Sequence, residues 1–195
     1  QFYKRRWPVE TLSGLFCFLT SFSYHTTEDL DMTVLLDPMQ WHRLDNIAAL
    51  HAFSGLFIYL AQIRDPFLNT SLKMLNMFFS VVIQEAHPWD IRYTVFPLVY
   101  FGCIPILYNL LWTRRMPTFD AQEITIGLVA LVVAICFFVR GLDEDTDPYR
   151  MAHGMWHVVG GFATLHLWRS VKHPTNDAVV AKLNAPPPPN GWQHV

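Results

Sequence analysis

The sequence predicts an all-α fold: a polytopic bundle of transmembrane helices, with six spans present. Three observations carry the prediction. Charged residues make up 15 % of the 195-residue chain and apolar residues 52 %, whereas a soluble domain carries about 25 % charged residues. The chain contains 15 Phe, 7 Trp and 7 Tyr, more aromatic surface than a small soluble core can bury. Apolar runs also recur along the chain, and at about 20 residues per crossing this length holds six or seven of them. A net charge of −2 with no basic stripe excludes a nucleic-acid partner. Cys17, Cys103 and Cys136 all sit inside apolar runs and read as small buried hydrophobes, not as a disulfide or zinc framework.

The predicted spans are Val9–His25, Met39–Ile63, Ser71–His87, Ile91–Trp112, Ile124–Val139 and Tyr149–Trp168. The fifth is the clearest, since nothing charged lies between Glu123 and Arg140. The fourth contains Pro97 and Pro105, tolerable in a membrane helix where neighbours re-satisfy freed carbonyls. Residues 1–170 are assigned to the helical bundle and 171–195 to a polar tail with the proline run Pro186–Pro189. Numbering the helix ends alternately puts 10 of the 14 Lys and Arg on one side. By the positive-inside rule that side, and the tail with it, is cytoplasmic or its organellar equivalent.

Ionisable groups inside spans are costly and mark function or a buried partner. Ser21 and His25 close the first span, His42 and Asp45 open the second, Glu85 and His87 end the third, and His153 and His157 open the sixth. All four sets fall in one leaflet, the non-cytoplasmic one. Residues four apart share a helical face, so His153 and His157 can point at one atom. Such a pair suits tetrahedral zinc, with His25 the natural third ligand. A pair on one face of one helix fits a bis-histidine haem poorly. His42, His51, His166 and His173 read as satisfied residues, and Glu85 as a partner for Arg92 or Arg140.

This pattern resembles the CREST superfamily of seven-span membrane proteins, nearest the myomaker and transmembrane-protein-eight family. The likeness is carried by FCFLTSFSYHTTED with its terminal His, RLDNIAALHAFSG with its Asp, AHPWDIRYTVFP, and DTDPYRMAHGMWH, within residues 1–168. It implies a zinc site of His25, His153 and His157 with Ser21 and Asp45 beside the metal, and a further span ahead of Gln1. Two functions follow. One is a zinc-dependent hydrolase of a lipid amide or ester, with an acidified water, Asp45 as general base and Ser21 on the water or oxyanion. The other is a non-catalytic membrane partner or assembly subunit with structural zinc, since the family includes a fusion factor. A structural site would be closed by a fourth ligand from Asp45, Asp29 or Glu85.

Overall fold

In the computed structural model the described residues are 8–172, less 89, 116, 144, 146, 148 and 149. They form six helices: α1 Pro8–Asp29, α2 Pro38–Leu60, α3 Pro66–Ala86, α4 Ile91–Ile106, α5 Ala121–Gly141 and α6 Met151–Ser170. The expected helical bundle is therefore present, with one helix for each predicted span. Among the described residues three stretches are long and apolar enough to cross a membrane: α3, α4 with its continuation to Trp112, and α5. The other three helices carry more polar side chains, those of the histidine centre among them. Phe78, Phe96 and Val132 project outward from the bundle, as lipid-facing side chains do. The proline run lies outside the described residues.

The helix starts follow from local chemistry. α2, α3, α4 and α5 each begin after an aspartate whose carboxylate accepts a backbone N–H of the first turn. At α2, Asp37 and Gln40 cap each other reciprocally. Pro38 and Pro66 occupy first-turn positions where no N–H is needed. α3 accordingly starts five residues before the apolar run does. At the far end of α4, Pro105 is followed by a π-helical turn, Leu107–Trp112. The Asn109 side chain there donates to the carbonyls of Pro105 and Ala61, both at 2.9 Å. α2 is the central helix, packed by α1, α3, α4 and α6, while α5 and α6 form the most intimate pair. Gly127 permits that intimacy, since a Cβ there would lie 2.8 Å from Leu167. The backbone of α1 approaches α2 alone, so a cleft remains between α1 and α6. Beyond α6, Val171 is buried and pairs with Phe119.

Candidate metal centre

The alternation of helix directions brings the C-terminal end of α1, the start of α2 and the start of α6 to one end of the bundle. α1 continues as a helix past His25 to Asp29, so Glu28 stands one turn beyond His25. Tyr24 donates to Glu28 at 2.7 Å and stacks on His42 with centroids 4.3 Å apart. Arg150, at the approach to α6, reaches Glu28 at 3.5 Å and ties the two elements together.

Across this end His25, His153 and His157 converge. Their ligand atoms all lie within 4.8 Å of one another. His157 Nε2 is 3.2 Å from His25 Nε2 and 3.2 Å from His153 Nε2. The rings meet edge to face, with interplanar angles of 69°, 81° and 68°. A ring nitrogen has one in-plane position, filled by a proton or a lone pair. The Nε2 of His157 therefore cannot bond both neighbours through protons. A cation between the three satisfies all of them: with arms of 2.0–2.1 Å a tetrahedral ion spaces its ligands about 3.3 Å apart. The three histidines thus have the spacing and the donor chemistry to hold a metal ion.

The start of α6 is fixed from outside the helix. Arg150 has a left-handed backbone and no side-chain cap. Asp147 instead accepts the N–H groups of Ala152 and His153, each at 3.0 Å. Burial pushes its carboxyl up, but these N–H groups, with Met151 and the charge of Arg140, hold it below the ordinary carboxylate range. Gly141, the last residue of α5, lies against the same turn. A Cβ there would sit 2.8 Å from the backbone N of His153. Neither feature is flagged by the sequence, where Asp147 reads only as part of an acidic loop.

Beside the histidines a chamber of about 780 Å³ runs between α1, α2, α3 and α6. His25 and His157 line one end, with Asp29 and the Asp45–Ser21 pair, in which Ser21 hydrogen-bonds the nearly buried carboxylate. Below them the wall is mostly apolar, with Cys17, Phe18, Ala49, Phe53 and Trp156 among its residues. The other candidates are engaged elsewhere. Glu85 pairs with Arg43 at 3.0 Å, not with Arg92 or Arg140. His87 packs on Tyr93, and His166 binds Glu123 at 2.7 Å. His51 is held by Ser13 and Asn76. His173 lies outside the described residues.

The profile of one protein family covers residues 1–158, most of the helical bundle. The chain belongs to the DUF3522 family. That family is described as a protein of unknown function, so membership carries no activity with it. No curated protein and no solved structure matches the chain. For this DUF3522 member, the chemistry of the histidine centre and its chamber is what bears on function.

Proposed function

We propose that this chain is a multi-pass membrane protein of the CREST type that holds zinc at His25, His153 and His157 and hydrolyses a lipid amide or ester. The observation that carries this reading is the convergence of three imidazole nitrogens on one point at the rim of a largely apolar chamber. Among the described residues no fourth His, Cys, Asp or Glu joins the cluster, which favours the open site of a catalyst over a closed structural one. A zinc ion so held supplies Lewis acidity and acidifies a water to a pKa of about 7.

The chain's own residues do the rest. Asp45, nearly buried and facing the chamber, accepts the proton that the attacking water gives up. Ser21, hydrogen-bonded to Asp45, orients that carboxylate. The apolar wall receives an acyl chain, and the gap between α1 and α6 admits it sideways from a bilayer. The centre lies toward the non-cytoplasmic leaflet, with the C-terminal tail on the cytoplasmic side. The partner is thus membrane lipid, with neighbouring membrane proteins alongside.

The test is zinc content and turnover on the purified chain. Wild type is expected to carry one zinc and to cleave a member of a panel of ceramides, lysolipids and lipid-anchored peptides. Asp45→Asn is expected to keep the zinc and lose turnover. Zinc without turnover across the panel would support the alternative, a structural ion in a non-catalytic membrane partner. Absence of zinc from the purified wild type refutes both.

A further inference from the structure

The chamber has a second polar feature, well below the histidines. His51 lies six residues after Asp45 on α2, about 9 Å along the axis, and Ser13 lies eight before Ser21 on α1, about 12 Å. Asn76 of α3 is fully buried. Its Nδ2 donates to the backbone carbonyl of His51 at 2.9 Å and faces His51 Nδ1 at 3.1 Å. Only an N–H can face that carbonyl, so the amide orientation is set and Nδ1 is an acceptor. The ring proton then sits on Nε2 and is donated to Ser13 Oγ at 3.0 Å. This polarity is the reverse of a serine nucleophile and its base, so the group is not a second hydrolytic centre.

It leaves one hydrogen unused. Among the described residues Ser13 has no other hydrogen-bond partner, and it lines the chamber with His51 and Asn76. Its hydroxyl therefore offers a donor to whatever fills the space. The nearby cation, Lys73, is bonded to Glu10 at 2.5 Å, so this shelf has no net charge to attract a carboxylate or phosphate. The space beside it is open: a Cβ at Gly14 or Gly161 would meet nothing within 4 Å. A fully apolar chain lying there leaves the hydroxyl unsatisfied, which costs free energy, whereas an oxygen at that depth satisfies it.

We infer that Ser13, held by His51 and Asn76, is a second binding site of the chamber, taking a neutral oxygen carried partway along the apolar chain of its ligand. The ligand class is an acyl chain with a mid-chain hydroxyl. The inference rests on the lipid part of the proposed function and is independent of the metal.

The test uses native mass spectrometry of the full chain in detergent, equilibrated with equal amounts of ricinoleoyl- and oleoyl-lysophosphatidylcholine, which differ by a mid-chain hydroxyl. Wild type is expected to retain the ricinoleoyl lipid about fivefold over the oleoyl one, the worth of one hydrogen bond. Ser13→Ala, checked for an unchanged thermal midpoint, is expected to bring the ratio to unity, and Ser13→Thr, which keeps the hydroxyl, to restore the preference. His157→Ala is expected to lose the metal and keep the preference, which separates failure of the metal reading from failure of this one. A wild-type ratio of one, or a preference that survives Ser13→Ala, overturns the inference.

Discussion

Gly141→Ala is the sharpest probe of how the histidine centre is positioned. The added Cβ would lie 2.8 Å from the backbone N of His153 and 2.9 Å from its Cα. Neither contact is with the free end of a flexible side chain, so relief requires the helix start itself to move. Ordinary contact begins at 3.4 Å, so the first turn of α6 must retreat by about 0.6 Å. A metal ligand tolerates about 0.2 Å, so His153 leaves the coordination sphere or binds with strain. The expected results are a loss of about 1–3 kcal/mol in stability from overpacking and at least a tenfold weaker hold on zinc. Gly154→Ala is the matched control. It lies one residue beyond His153 on the same helix, and its new methyl would meet nothing within 4 Å. It should leave zinc affinity unchanged and raise stability by up to about 1 kcal/mol through helix propensity. The assay is chelator competition for zinc on both variants, alongside thermal midpoints. Equal zinc affinity in Gly141→Ala and wild type would refute the claim that this close approach positions His153.

Other perturbations discriminate further. His157→Ala removes the ligand whose Nε2 faces both partners and should abolish zinc retention, measured by elemental analysis. Stripping wild type with a chelator should lower its thermal midpoint, because an ion that binds the folded state alone stabilises it by about 2.7 kcal/mol at a hundredfold excess over Kd; an unchanged midpoint argues against an ion there. Asp90, which caps α4, has its carboxyl held down to about 2 by hydrogen bonds from Arg92. The cap's contribution is therefore complete above the ordinary value of 3.8 and lost as pH falls through about 2. NMR of carboxyl-labelled protein should show that midpoint, and Arg92→Gln should return it toward 3.8.

The order and number of helices are legible in the sequence because α3, α4 and α5 are long apolar runs, and the more polar α1, α2 and α6 still hold enough apolar residues between charged loops to read as helices. Their ends are less so. The apolar run of α3 begins at Ser71, but Asp65 and Pro66 already cap and start a helix there, a signal that hydropathy alone passes over. His153 and His157 are legible as a pair because i and i+4 share a face whatever surrounds the helix, and His25 joins them because helix alternation fixes its depth. What depends on register between helices is not legible. Ser13, His51 and Asn76 come from three helices and meet only through the packing of α1 and α3 on α2. Glu85 takes Arg43 because α2 and α3 are neighbours, while Arg92 turns back to Asp90. Asp147 is visible as an acid, but its grip on α6 needs the loop geometry.

The thin seating of α1 has a mechanical consequence. Its backbone leans on one neighbour, and side chains tether it elsewhere: Glu10 to Lys73 near one tip, and His25 opposite the pair on α6 near the other. An ion held by those imidazoles would add a latch across the cleft, beside the Glu28–Arg150 pair. Withdrawing it would remove one tie at that tip, where the Glu28–Arg150 pair remains, while the Glu10–Lys73 pair anchors the other. Metal occupancy would then bear on how firmly α1 is held beside the chamber.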